Sequence, residues 1–354
     1  DILGEVEKNI MFGKSFKSAL EHFKNLQNGE IFELSLKFGG DDKLLEHIQI
    51  IHNYVSTQAG GMEWLDKVIS GVYTQDINKS SLMDSLFEMT NTRLDYILEL
   101  FACIVDIFAG YEDKQAVYLS SLEFFKSLKN TNTYSKFYML INSYELVSKQ
   151  RVSKKYDIDW EKYKDCNEII KEQIKWLKKM FAKDISLVQE LHKNTIRDIK
   201  LLVDLYKKTR EVYNESKSDS GKFDFTDFTA NLIKLLNSTD IQREISNRYD
   251  YICVDEYQDT NYAQEDIYTN ISNGNNLFMV GDSKQSIYRF RLSEPKILLE
   301  KFNDYNVNPT HGETVMLDFN YRSDKGIVDF VNDIFNVIMT KNFGGIDYKN
   351  TDKL

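Results

Sequence analysis

Apolar residues recur at helical spacing through most of the first 210 positions. Leu94, Ile97, Leu98, Phe101, Ile104, Val105 and Phe108 share one helix face, as do Ile174, Leu177, Phe181, Ile185 and Val188. The same period runs through 16–26, 44–55, 64–72, 119–128 and 196–206, with polar or Gly-bearing joints such as Gly39-Gly40-Asp41-Asp42 and Gly60-Gly61 between them. Pro295 and Pro309 are the only prolines, so nothing interrupts a helix before residue 290. The pattern predicts a multi-helix region over 1–210.

Beyond the polar joint Asn214-Glu215-Ser216-Lys217-Ser218-Asp219-Ser220-Gly221 the pattern changes. Apolar runs of strand length occupy 251–254, 277–280 and 314–317, each ending on Asp or Gly, with helical patterns between them. This predicts a parallel α/β sheet whose active groups lie at the strands' carboxyl ends. The boundary is expected between 205 and 225, in a chain that is mainly α with an α/β portion over 211–354.

Composition narrows the class. At 354 residues the chain exceeds the roughly 250 residues of a single core, and 42% hydrophobic with 13% aromatic residues excludes disorder. Cys103, Cys166 and Cys253 form neither a CxxC pair nor a disulfide framework, which fits a reducing, cytoplasmic compartment. The most apolar run, 96–111, is broken by Glu99 and Asp106 and falls short of the ~20 residues of a membrane span, so no membrane association is expected. The start, Asp1-Ile2-Leu3-Gly4, has no Met and no basic-then-apolar leader, so a piece of something longer, without a signal peptide, is expected. A net charge of −10 argues against indiscriminate nucleic-acid binding. Residues 151–210, however, hold 16 Lys/Arg against 10 Asp/Glu, either a solvated helix face or a nucleic-acid footprint. Trp64, Trp160, Trp176, His22, His47, His52 and His192 share no metal-ligand spacing with a carboxylate or Cys and read as packing or surface residues.

The run at 251–254 ends on Asp255-Glu256. It delivers two adjacent carboxylates to the carboxyl edge of a sheet, where a nucleotide's phosphates lie in an α/β fold. One carboxylate can hold Mg²⁺ through its water shell while the next orients the water that attacks a γ-phosphate. A helix N-cap followed by an exposed Glu gives the same pair. The full stretch is Val254-Asp255-Glu256-Tyr257-Gln258-Asp259-Thr260-Asn261. After it come Val280-Gly281-Asp282-Ser283-Lys284-Gln285-Ser286-Ile287-Tyr288-Arg289-Phe290-Arg291 and Leu317-Asp318-Phe319-Asn320-Tyr321-Arg322-Ser323.

This ordered trio resembles motifs II, III and IV of superfamily 1 DNA helicases. Lys284 before Gln285, the continuation Leu292-Ser293-Glu294-Pro295 and the tail Phe343-Gly344-Gly345-Ile346-Asp347-Tyr348 are most similar to the AddA family, the helicase/nuclease components of bacterial double-strand-break resection enzymes. Phe38-Gly39-Gly40, Trp64-Leu65 and Asp224-Phe225-Thr226-Asp227-Phe228 extend the likeness loosely over the front. The resemblance implies a helical insertion domain of the first motor half over 1–210 and a partial RecA-like ATPase domain over 211–354. It implies ATP and Mg²⁺ as cofactors, with Asp255 on the metal, Glu256 as catalytic base and Gln285 sensing the γ-phosphate and attacking water. Tyr321 would stack on adenine and Arg322 would reach the γ-phosphate. Tyr288, Arg289, Phe290 and Arg291 alternate aromatic faces with guanidinium groups, as sequence-tolerant single-strand DNA binding requires.

A helicase motor also needs a Gly-rich phosphate loop, G-x-x-x-x-G-K-[ST]. Gly13-Lys14-Ser15 does not qualify: Lys8 stands where the first Gly belongs, no strand precedes it, and its surroundings read as amphipathic helix. Neither the later helicase motifs nor a nuclease motif is found. The chain is therefore expected to be inactive alone as an ATPase. Its parent would unwind and process double-strand DNA ends in recombinational repair, bind single strands and duplex ends, and work beside an AddB-like partner. The alternatives are a UvrD-like repair helicase without nuclease and a non-catalytic DNA-binding or structural module. Without the phosphate-loop strand, 251–254 and 277–280 are expected to pair while 314–317 loses its neighbour, leaving a partial sheet.

Overall fold

The computed structural model describes residues 1–26, 29–74, 76–145, 156–317, 319–340 and 348–349; Asp318 and the tail positions Phe343 to Asp347 lie outside the described residues. Fourteen α-helices and two β-strands are present among them. They divide into two compact units, each drawn from more than one stretch of sequence. Phe23–Lys37 and Leu65–Lys207 form a purely helical unit, while Asp1–His22, Phe38–Trp64 and Lys208–Leu354 form the unit that carries the strands.

The front of the chain contains α1 (Glu5–Leu26), α2 (Glu30–Lys37), α3 (Asp41–Ser56) and α4 (Met62–Val72). Gly13-Lys14-Ser15 lies inside α1, where Ser15 Oγ donates to the Met11 carbonyl at 3.0 Å, so this segment is helix rather than loop. The core of the helical unit is built by α5 (Ser81–Ile107), α6 (Glu112–Lys129), α7 (Tyr134–Ser143) and α8 (Trp160–Met180). Ser80 caps α5 by accepting the Leu82 N–H at 3.2 Å. The predicted stripe Leu94, Ile97, Phe101, Ile104 and Phe108 is buried in one cluster with Phe125 and Leu128 of α6, Phe137 of α7, and Ile170, Ile174 and Leu177 of α8. Phe101 stacks on Phe125 and Phe108 on Tyr118, each at 5.4 Å between centroids. The Tyr118 and Tyr163 hydroxyls meet at 2.8 Å, so these polar tips are satisfied inside the core. Trp176 lies 4.1 Å beneath the Arg93 guanidinium, and His192 Nε2 lies 2.8 Å from the Thr74 carbonyl oxygen.

Two helix expectations need correction. The stripe from Ile174 to Val188 is not one helix. Phe181 closes α8, and α9 (Ile185–Ser220) starts afresh where Asp184 Oδ1 accepts the Ser186 and Leu187 N–H groups at 2.9 and 3.1 Å. The polar joint 214–221 is not a linker either, because α9 continues through Ser220 and only Gly221, at φ +63°, turns the chain. The helix holds there because Lys217 is buried, with its ammonium 3.1 Å from Asp224 Oδ2 and 2.5 Å from Asp227 Oδ1. Tyr213 donates to the same Asp224 oxygen at 2.8 Å. Asp224 and Asp227 in turn form the capping box of α10 (Phe225–Leu236), so one ionic cluster joins the end of α9 to the start of the next helix. Burial would raise the Asp224 carboxyl, but hydrogen bonds from Thr226 and Tyr213 and the Lys217 charge outweigh it and hold the carboxyl well below the usual range.

After α10 and α11 (Thr239–Ser246), β1 (Ile252–Val254) and β2 (Leu277–Met279) pair in parallel with Cys253 opposite Phe278, joined by α12 (Tyr262–Ile271). Ile252, Val254, Leu277 and Met279 are half-buried, whereas Cys253 and Phe278 on the alternate face are exposed. As expected of a partial sheet, the first two runs pair while 314–317, without a neighbour, forms no strand. Residues 314–317, between α13 (Lys296–Val307) and α14 (Lys325–Ile338), are irregular, and Val315, Met316 and Leu317 are exposed. A strand exists only through hydrogen bonds to a neighbour, and among the described residues β1 and β2 pair with each other alone. No helix among the described residues is long and apolar enough to cross a membrane.

The ionic cluster borders a buried histidine whose titration tests the packing. His52 lies against Phe12 and Tyr213, with ring centroids at 4.7 and 5.9 Å. Burial lowers its pKa from 6.5 to about 4, with Asp224 opposing and Arg210, Lys8 and Lys217 reinforcing the shift. The unfolded chain takes up this proton near pH 6.5 while the fold refuses it. Stability is therefore full above pH 6.5 and declines toward pH 4, by about 3 kcal/mol at most. Urea midpoints measured at pH 7.5 and 4.5 should show this loss and a clearly smaller one in His52→Gln; equal losses would contradict the assignment.

Candidate functional site

The parallel register brings two of the sequence motifs together. Val280 N–H donates to the Val254 carbonyl at 2.9 Å and Tyr257 N–H to the Val280 carbonyl at 2.8 Å, so pairing continues past both strands. Asp255 and Glu256, both exposed, share a carboxyl edge with Gly281 and Asp282. Glu256 adopts the left-handed conformation, φ 50° and ψ 44°, and its N–H donates to Asp255 Oδ1 at 2.9 Å. Non-glycine residues hold this conformation when their surroundings impose it. Tyr257, the next residue, is fully buried in the turn Tyr257–Asp259, and its hydroxyl donates to the Glu265 carboxylate, which also pairs with Lys301 at 2.7 Å. Burial, then the bond to Glu265, drives the Tyr257 hydroxyl far above its usual pKa. Burial and then the Glu256 charge raise the Asp259 carboxyl, whose Oδ1 is enclosed without a hydrogen-bond partner.

Past β2, Asp282 organises the turn Ser283–Gln285. Its Oδ1 accepts the Lys284 N–H at 3.0 Å and lies 2.9 Å from the Lys284 ammonium, and Gln285 Nε2 donates to Oδ2 at 3.1 Å. Burial would raise this carboxyl; the bonds from Lys284 and Gln285 prevail and hold it low. Tyr288 and the turn Arg289–Arg291 follow. The Arg291 guanidinium lies 4.9 Å from the Tyr288 ring and 5.6 Å from that of Phe290, which is 75% exposed; Arg289 is exposed as well. Glu294 N–H donates to the Thr260 carbonyl at 2.9 Å and ties the end of this segment back to the first motif.

The third motif stands apart. Asn320 Oδ1 accepts the N–H groups of Arg322 and Ser323 at 2.9 and 3.0 Å, and Tyr321, 92% exposed, stacks on Phe319. No hydrogen bond, ion pair or ring contact among the described residues joins Tyr321 or Arg322 to 255–256 or 282–291.

No three His, Cys, Asp or Glu side chains among the described residues form a metal cluster. Mg²⁺ needs none, since it takes one or two carboxylates with substrate phosphates and water, and the exposed oxygens of Asp255 and Glu256 match that hard-oxygen preference. Sequence reasoning passed over Gln258. Only 1% exposed, it donates from Nε2 to Glu256 Oε2 at 2.5 Å and accepts the Asp282 N–H on Oε1 at 2.9 Å. A polar side chain between Tyr257 and Asp259 was the available signal; its two partners are set by tertiary structure.

Known proteins resemble this chain over part or all of its length. An ATP-dependent helicase/nuclease subunit from Acetivibrio thermocellus is 27% identical over 387 residues, covering 100% of this chain and 31% of that protein. The Clostridium acetobutylicum protein of the same name is 29% identical over 94% of the chain and 28% of its own length. The Streptococcus uberis one reaches 42% over 39% of the chain and 11% of itself. The chain thus spans less than a third of the relatives it matches. The model of the UvrD/REP helicase N-terminal domain matches residues 94–306, well over half of the sequence, and the chain belongs to that family.

Proposed function

We propose that this chain is the part of an ATP-dependent helicase/nuclease subunit that carries motifs II, III and IV of its first motor half, in an enzyme that unwinds and processes double-strand DNA ends. The observation that carries the reading is the shared carboxyl edge, where Asp255, Glu256 and the Asp282–Gln285 turn are held by one hydrogen-bonded register. In this reading 1–210 is a helical insertion and 211–354 the later part of a RecA-like domain, with residues 1–22 and 38–64 packed into the same unit as the latter.

Each side chain suits a task. Asp255 would hold Mg²⁺, which when bound would neutralise phosphate charge. Glu256 accepts the proton of the attacking water, which it can do as an exposed carboxylate. Gln285 donates and accepts through one amide and so reports on the γ-phosphate. Arg322 offers a guanidinium for the γ-phosphate and Tyr321 an open ring for adenine. Among the described residues neither meets the other motifs, so both roles need the nucleotide itself, or further protein, to bring them in. Tyr288, Phe290 and Arg291 form a preassembled ring-and-guanidinium platform, with Arg289 beside it, suited to stacked bases and phosphates of a single strand. An AddB-like protein would be its partner.

The 354-residue sequence contains no phosphate loop, so the isolated chain is expected to release no phosphate from ATP with or without single-stranded DNA. Full-length protein should do so, and Glu256→Gln should lower its DNA-stimulated kcat by ~10²-fold or more. DNA-stimulated turnover by the isolated chain that Glu256→Gln abolishes would contradict this. Single-strand affinity of the chain, measured by fluorescence anisotropy, should weaken by ~1–3 kcal/mol in Phe290→Ala, with a phosphate contribution that falls as salt rises. Unchanged affinity at every salt concentration would remove the stacking role.

A further inference from the structure

We propose that Gln258 is a positioning residue that locks the carboxylate of Glu256 to the turn bearing Gln285, so that base and sensor move as one unit. The proposal rests on the reading of Glu256 as the base. Its foundation is a buried amide used at both ends: Nε2 donates to Glu256 Oε2 at 2.5 Å and Oε1 accepts the Asp282 N–H at 2.9 Å. The two partners fix the amide's orientation, because a carboxylate can only accept and a backbone N–H can only donate. Asp282 then continues the path by accepting from Gln285 Nε2 at 3.1 Å. A chain of polar contacts thus runs Glu256, Gln258, Asp282, Gln285 through a site where each bond leaves little freedom.

Residue 281 shows how tightly the backbone closes on this amide. A Cβ there would lie 2.8 Å from Gln258 Oε1, 3.2 Å from Gln258 N and 3.2 Å from Leu298 Cδ2. The second strand's exit passes Gln258 only because Gly281 has no side chain. At residue 258, Glu would set a second carboxylate against Glu256, Asn would fall short of one partner, and Leu would fill the volume while leaving both partners unbonded. Holding Oε2 leaves the other carboxylate oxygen of Glu256 aimed by a fixed neighbour rather than by a free rotamer, the condition under which a general base acts efficiently.

The test uses full-length protein and DNA-stimulated ATP turnover. Gln258→Leu should lower kcat about 10- to 100-fold while the KM for ATP stays within twofold, because the residue aims the base and does not bind nucleotide. Gly281→Ala, which displaces the same amide from the opposite strand, should give the same kcat-only loss. In a Glu256→Gln background, Gln258→Leu should cause no further loss, since nothing remains to be aimed. Wild-type kcat in folded Gln258→Leu, a matching change in KM, or losses that multiply in the double variant would overturn the proposal. Full turnover in Glu256→Gln alone would instead overturn the assignment of the base and leave the contact without a catalytic object.

Discussion

Two backbone hydrogen bonds just past the ends of a three-residue strand pair decide where the chemistry of this chain can lie. A pair as short as β1 and β2 is marginal by itself. It is extended by Val280 N–H on the Val254 carbonyl and by Tyr257 N–H on the Val280 carbonyl, and the second bond is anchored by the fully buried Tyr257 ring and its bond to Glu265. With Tyr257 fixed, the chain between it and β1 has room for only two residues, and Glu256 takes up the left-handed conformation that the short span demands. The adjacent carboxylates therefore emerge at the edge that α/β proteins use for phosphates. The register, the buried tyrosine and the αL residue are one constraint seen at three places.

A second anchor works in the same unit. Lys217, Asp224, Asp227 and Tyr213 place two negative charges and one positive charge in a nearly dry cluster, with the ammonium 4.4 Å from the Tyr213 ring. A buried ion pair of this kind is weak evidence for net stability, yet removing one partner strands a charge and is costly. Its structural effect is directional: it fixes where α9 stops and α10 starts, and α10 packs with α11 and α12.

Much of this was legible in the sequence where the signal is local. The stripe through Leu94 and Phe108 has one period, no breaker and a Ser cap, and it forms one helix. The stripe through Ile174 and Val188 keeps its phase across a break, so periodicity alone cannot see the new start that Asp184 makes. Residues 214–220 are polar enough to read as a linker, and only the buried partners of Lys217 explain why they stay helical. The run at 314–317 has strand composition but no strand, because pairing depends on a neighbour and not on the run itself. At the site, motif order singles out Asp255, Glu256 and Gln285, and the register unites the turns that carry them. Gln258 is not singled out, since its two partners, Glu256 and the Asp282 N–H, are brought together only by the tertiary structure. For Tyr321 and Arg322 the roles come from the resemblance alone, and among the described residues both are exposed.

The most direct measurement is a structure of the full-length protein bound to single-stranded DNA and an Mg²⁺–ATP transition-state analogue. The expected result has the Asp255 carboxylate in the metal's coordination or water shell, Glu256 and Gln285 on either side of the attacking water, and Arg322 drawn onto the γ-phosphate mimic. Phe290 should be stacked on a base in the same complex. Nucleotide bound away from the Asp255–Glu256 edge, or bound there with Arg322 still turned to solvent and Phe290 clear of the strand, would contradict the assignment of this chain as the hydrolytic edge of a DNA motor.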